Sequence, residues 1–260
     1  MADTRSPLKD SPLRLPGQSV EEQREKLIED VFGQWAMVAV FMATLAMFEW
    51  YRWYMDMKPT PVPFTIAAVF AALIAWWRVR RVIPVLKNLR LAREGERAVG
   101  QFLERLRESG HQVFHDVIGE GFNVDHVVIG PSGVYTVETK TWSKPLTGSP
   151  QIVFDGECIK VGGRQPDRDP VTQARAQADW IKKLLRESAG KQPFVRPVVV
   201  FPGWYVTRAA AAAKDVWVLE PKAFPAFLEK EPARLSPEDV RLFAFHLSRA
   251  IRTEEAARSR

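Results

Sequence analysis

A single cysteine, Cys158, in 260 residues excludes an internal disulfide and any cysteine-based zinc cluster within the chain. A reducing compartment is the natural reading. Of the four histidines, His111, His115 and His246 lack the spacing of a metal site. No P-loop, HExxH or GxSxG pattern occurs, which leaves ATPase, zinc protease and serine hydrolase readings unsupported. A strong charge of one sign is also missing: 37 Lys and Arg stand against 31 Asp and Glu, a net +6. So mild a balance argues by itself for neither nucleic acid nor an anionic membrane, and any anionic substrate must be held by a local patch. The first thirty or so residues lack the apolar core of a cleavable signal peptide. Their Pro, Ser and charged composition predicts a mobile tail running into a short helix around Val20 to Val31.

Long apolar runs are present. Trp35 to Phe48 is interrupted only by Thr44 and is followed by "EWYRWYM"; Val62 to Trp77 follows the turn-prone "DMKPTP" and ends in "WWRVRR". A span needs roughly 20 residues, which each run reaches when its aromatic and charged flanks sit in the interface. We read a transmembrane helical hairpin, about Gly33 to Tyr54 and Val62 to Arg80, with Trp50, Tyr51, Trp53, Tyr54, Trp76 and Trp77 as interfacial belts; the alternative is a pair of buried soluble helices. Glu49, near the end of its span, is read as interfacial. Arg78, Arg80, Arg81, Lys87, Arg90 and Arg93 crowd after the second span, and Arg24 and Lys26 precede the first. Both termini are therefore expected on the cytoplasmic side, in a multi-pass protein of the inner membrane.

Beyond the hairpin, helical and strand periods alternate. "REGERAVGQFLERLRESG" repeats as a helix closed by Gly110. Strands are expected at Gln112 to Ile118, Val124 to Ile129, Val134 to Lys140, Gln151 to Phe154 and Glu157 to Val161, the last two joined by a "DG" turn. Asp169 and Pro170 open a helix, "RPVVVFPG" and "DVWVLE" read as buried strands, and Ser236 and Pro237 open a last helix after "KAFPAFLEK". This order predicts an α/β domain with a mixed central sheet flanked by helices. The expected layout is a tail and short helix at 1–32, two spans at 33–81, a basic linker at 82–92, the α/β domain at 93–220, and helices packing on it at 221–260. The alanine run Ala209 to Ala213 is the one low-complexity stretch.

The hairpin "NVDHVVIGPSGVYTVETK" carries ionisable groups where a core strand has no need of them. Glu138 and Lys140 share a face by the period of two, and the "GPSG" turn carries Asp125 toward the same end. Two carboxylates suit Mg²⁺ or Mn²⁺, with Lys140 to orient water or neutralise a phosphate. Glu138 and Lys140 also have a simpler reading, as a cross-strand or solvent-facing ion pair. His126, on the opposite face from Asp125, is expected to make a structural hydrogen bond.

The stretch resembles the nuclease-related domain family, NERD. The residues that carry the likeness are Gly95 and Glu96, Asp125 and His126 before "VVIGPSG", Glu138 to Lys140 with Trp142, and Gln173 with Ala174, between about Arg93 and Gly203; Thr141 stands where that family often has Asn. The family is similar to a branch of the PD-(D/E)XK nucleases, which implies a restriction-endonuclease-like core and metal-dependent phosphodiester hydrolysis. By that resemblance Asp125 and Glu138 are the metal ligands, Lys140 the catalytic lysine, Glu96 an auxiliary acid, and Gln173 a supporting polar residue. Lys144, Arg164, Arg168, Lys182 and Lys183 are candidate contacts to a DNA, or RNA, backbone. A homodimer is compatible with cutting two strands. The rival reading is a catalytically inactive membrane adaptor that uses the nuclease-like fold to bind nucleic acid or protein.

Overall fold

The computed structural model describes residues 12–58, 61–119, 121–144, 151–161, 165–166, 169–208 and 215–258. The chain forms two compact units, one of Val20–Leu91 and one in which the residues up to Ser19 join Ala92–Arg260.

In the unit Val20–Leu91, helix α1 (Gln18–Ile28) passes through one π-helical turn, Glu29–Gly33, into α2 (Gln34–Tyr54), so Gly33 does not interrupt it. Helix α3 (Pro61–Glu104) follows, and residues 82–92, expected as a linker, lie inside it. The Arg78 guanidinium lies 4.7 Å from the Trp35 ring centroid, and Trp50 Nε1 donates to Thr65 Oγ1 at 3.0 Å. Contacts at both ends make α2 and the first part of α3 an antiparallel hairpin. The stretches Gln18–Tyr54 and Pro61–Ser109 are long and apolar enough to cross a bilayer, with mean hydropathy 1.8 and 1.7 in their most apolar windows. Their large apolar side chains, among them Met37, Phe41, Met47, Ile66 and Phe70, face outward rather than into a core. Glu49 is paired with Arg52 on its own helix at 2.9 Å.

In the second unit, the C-terminal part of α3 tightens into a 3₁₀ turn at Arg105–Ser109 and ends at Gly110, whose φ of 83° is a conformation glycine adopts without a Cβ clash. Strands β1 (Gln112–Ile118), β2 (Asn123–Gly130) and β3 (Gly133–Thr139) form an antiparallel meander, with His115 opposite His126 and His126 opposite Val137. Beyond α4 (Pro170–Ala189), β6 (Val195–Val200) joins β3 in parallel and β8 (Trp217–Leu219) joins β6 in parallel, giving the order β1-β2-β3-β6-β8. Asp169 caps α4 by accepting from Val171 N and Thr172 N. Helix α5 (Phe224–Glu229) and helix α6 (Pro237–Arg258) complete the chain.

The period of two sorts the core into two layers. Val113, Val128, Tyr135 and Val137 pack with Val99 and Leu103 of α3 and with Phe224 and Leu228 of α5. Phe114, Val127, Ile129 and Val134 pack with Ile181 and Leu185 of α4 and with Phe243, Leu247 and Ile251 of α6. One expectation needs correction. The sheet is not single, because β4 (Gln151–Phe154) pairs antiparallel with β5 (Ile159–Val161) and parallel with β7 (Tyr205–Arg208) in a separate three-stranded sheet. Ile152, Phe154 and Ile159 bury against Val171, Val199 and Phe201, a third apolar cluster that holds this sheet on the first. Cys158 precedes β5 in the turn, its thiol 3.2 Å from Asp155 Oδ2. The alanine run lies outside the described residues.

The described part of the N-terminal tail is ordered against the domain. Residues 12–19 dock on the second unit as a strap. Arg14 is only 4% exposed; its Nε donates to Asp116 Oδ2 at 2.7 Å and its Nη1 to Glu255 Oε2 at 2.6 Å. Ser19 donates to Asp116 through its backbone N (2.8 Å) and its hydroxyl (2.5 Å), and Asn123 Nδ2 donates to the same carboxylate at 2.9 Å. Asp116 is fully buried in β1 with φ 50°, and the strap supplies the donors that such a carboxylate requires.

Candidate active site

The C-terminal end of β3 gathers the sequence-predicted residues. Glu138 is 3% exposed and lies next to Val137, whose partner is His126; the same register sets Asp125 beside it on β2. Asp125 Oδ2 accepts from Thr139 N at 2.7 Å. Just past the strand, Lys140 still bonds the sheet through its N to Val200 O (2.9 Å), and its Nζ donates to Glu138 Oε1 (2.5 Å) and to Gln173 Oε1 (3.0 Å). Glu96, buried on α3, completes the group.

Gly95 explains how α3 reaches this end. A Cβ there would lie 1.7 Å from Thr141 Oγ1 and 2.7 Å from Thr141 Cβ, so only a glycine lets the helix backbone seat against the residue after Lys140. The Gly-Glu pair is thus a packing requirement followed by a carboxylate.

The electrostatics are those of crowded acids. Burial raises the Asp125 pKa well above the ordinary carboxylate range, and the charges of Glu138 and Glu96 raise it further, opposed by the Thr139 N–H and by Lys140. Burial also lifts Glu96, with Asp116 and Glu138 adding to it against Lys140, to about 8. Among the described residues, the buried side-chain atoms without a hydrogen-bond partner include Glu96 Oε2, Thr139 Oγ1, Thr141 Oγ1 and Gln177 Oε1. Native cores leave few such atoms, and these lie at and just past the end of β3 and on the two helices flanking the acids.

Three carboxylates against one nearby ammonium leave a surplus of negative charge that protons or a cation must balance. The donors are hard oxygens, which fit Mg²⁺ or Mn²⁺. Among the described residues no three His, Cys, Asp or Glu side chains converge into a closed cage. A pair, Asp125 with Glu138, is still what an ion that keeps several waters uses.

The other expectations separate. Gln173 does touch Lys140. His126 is fully buried, and its Nδ1 meets His115 Nδ1 at 2.9 Å while His115 Nε2 bonds Glu104 Oε1 at 2.8 Å. Burial lowers both histidine pKa values, so the pair is a neutral structural contact. Lys144 donates to Gly203 O and lies 5.6 Å from the Trp204 ring centroid. Lys182 lines a separate cleft with Arg175, Asp179, Arg196 and Asp215, and Lys183 is exposed on the second half of α4. Arg164 and Arg168 lie outside the described residues. A larger cleft of about 520 Å³, lined by Leu13, Leu15, Arg97, Gln101 and His115, does not include the carboxylates.

Sequence reasoning missed two neighbours. Gln177, 1% exposed, donates to Glu138 Oε2 at 2.6 Å and to Asn123 O at 2.9 Å. Its place one helical turn after Gln173 was a usable signal. Asp116 was legible only as an acid inside an apolar strand, and nothing in the sequence pointed to Arg14 as its partner.

Residues 91–202 match the family described as NERD: Nuclease-related domain. The match contains Glu96, Asp125, Glu138, Lys140, Gln173 and Gln177. No curated protein and no solved structure matches the chain.

Proposed function

We propose that the nuclease-related domain at residues 91–202 is a metal-dependent phosphodiesterase that cleaves DNA, or RNA, and that α2 and the first part of α3 anchor it in a membrane with both termini in the cytoplasm. The observation that carries the reading is the convergence of three buried acids, Asp125, Glu138 and Glu96, with Lys140 on one sheet end that is short of positive charge. Asp125 and Glu138 would hold Mg²⁺ or Mn²⁺. Bound there, the ion supplies charge neutralisation for the phosphodiester and acidifies a water.

The chain's own groups divide the remaining work. Gln173 and Glu138 fix the Lys140 ammonium from two sides, so that its charge faces the phosphate without reorganisation. Glu96, which burial and the neighbouring acids lift to about 8 in the metal-free site, would be the auxiliary acid beside the pair. The candidate span ends carry the basic residues that favour a cytoplasmic domain.

The rival adaptor reading has one observation in its favour. The Glu138–Lys140 contact satisfies both charges without any ion. A labelled oligonucleotide incubated with the full-length protein and Mn²⁺ decides between them. Cleavage by the parent and none by Asp125→Ala/Glu138→Ala supports the nuclease; cleavage that persists in the double variant sinks it, and no cleavage by the parent on duplex, single-stranded or RNA substrates favours the adaptor.

A further inference from the structure

Gln177 is a buried amide with one end committed and the other open. Its Nε2 faces two groups that only accept, Glu138 Oε2 at 2.6 Å and Asn123 O at 2.9 Å. The amide can therefore sit only one way round, nitrogen toward them and Oε1 away. Oε1 is then a buried acceptor with no donor among the described residues. A bare amide oxygen in a dry core costs free energy, and a residue that served merely to tie α4 to the sheet would do so without that cost. Glu138, for its part, is gripped from both sides, with Lys140 on Oε1 and Gln177 on Oε2.

We infer that Gln177 is a positioning residue for the metal site: it fixes the rotation of the Glu138 carboxylate and presents Oε1 to a hydrogen of a water held by the ion. The inference rests on the metal-dependent reading of Asp125 and Glu138. Residues that orient a ligand in this way are typically worth about tenfold to a hundredfold in metal affinity.

The test is Mn²⁺ titration calorimetry on the full-length protein in detergent, with thermal unfolding in parallel. The proteins compared are the parent, Glu138→Gln, Gln177→Met and the exchange Glu138→Gln/Gln177→Glu. The parent should bind and Glu138→Gln should not, while Gln177→Met binds about tenfold to a hundredfold more weakly. The exchange restores a carboxylate–amide bond with its roles reversed, so it should melt nearer the parent than either single variant yet fail to recover the parent's affinity. Unchanged Mn²⁺ affinity in Gln177→Met, or in Gln177→Leu where the Met variant does not fold, overturns the inference and leaves Gln177 as a tie between helix and sheet. Absence of Glu138-dependent binding in the parent overturns the metal reading itself, and the inference with it. That result is read from the parent and Glu138→Gln alone, so the two failures are distinct.

Discussion

Replacing Arg14 by Met keeps the apolar stem of the side chain and removes the guanidinium that the strap brings to Asp116. Both groups are almost fully withdrawn from water, and their contact is 2.7 Å. Removing one member of a buried pair costs about 3–5 kcal/mol, because the other is left as an uncompensated charge. Asp116 keeps its bonds from Ser19 N, Ser19 Oγ and Asn123 Nδ2, so the lower end, about 3 kcal/mol, applies. At roughly 2–4 °C per kcal/mol for a domain of this size, the melting temperature should fall by about 6–12 °C. Tryptophan fluorescence of the detergent-solubilised protein reads this directly. Adding Asp116→Asn removes the stranded charge and should recover a substantial part of the loss. Melting of Arg14→Met within about 2 °C of the parent would refute the argument that the strap is part of the domain's stability. The practical consequence is that a soluble fragment beginning near Leu89 lacks Arg14 and Ser19, and should melt lower than the same domain in the full chain.

Other outcomes follow from the site. Glu96 has an ordinary pKa of 4.5 unfolded and about 8 folded, so between those values the folded chain holds a proton that the unfolded chain has released. Its contribution to stability is complete below 4.5 and is lost as pH rises through about 8; Glu96→Gln should flatten the metal-free stability profile across that window, and an unchanged slope would contradict it. Gly95→Ala drives a methyl into Thr141 and should destabilise by about 1–3 kcal/mol, with Thr141→Gly restoring part of it in the same thermal assay. The full chain should stay with membranes through alkaline carbonate extraction. Protease added to inverted vesicles should remove the C-terminal domain, whereas removal from the outer face would reverse the proposed orientation.

Much of the fold was legible because its signals are local. The bounds of β1 and β4 match the apolar alternation, and α4 begins where Asp169 and Pro170 place it, since caps and periods act within a few residues. The strand β7 was not legible. Its four residues follow "FPGW" without a clear alternation, and what makes them a strand is a parallel partner some 54 residues earlier, Gln151 opposite Tyr205. That pairing also splits the expected single sheet into two. The docking of residues 12–19 was not legible for a similar reason. Its polar composition describes a segment with nothing to bury, whereas Arg14 finds an acid 102 residues away.

By itself, the sequence determined that an apolar hairpin precedes an α/β domain, and that Asp125, Glu138 and Lys140 meet at one end of a strand pair. A turn between adjacent strands and a side-chain period of two are enough for that. Only the tertiary structure decided what surrounds them: Glu96 brought in over a glycine contact, Gln173 and Gln177 from the facing helix, and Asp116 neutralised by the strap. These placements depend on how separate elements pack, and burial then turns proximity into raised carboxylate pKa values and open hydrogen-bond positions. Spacing along a chain carries no measure of that burial.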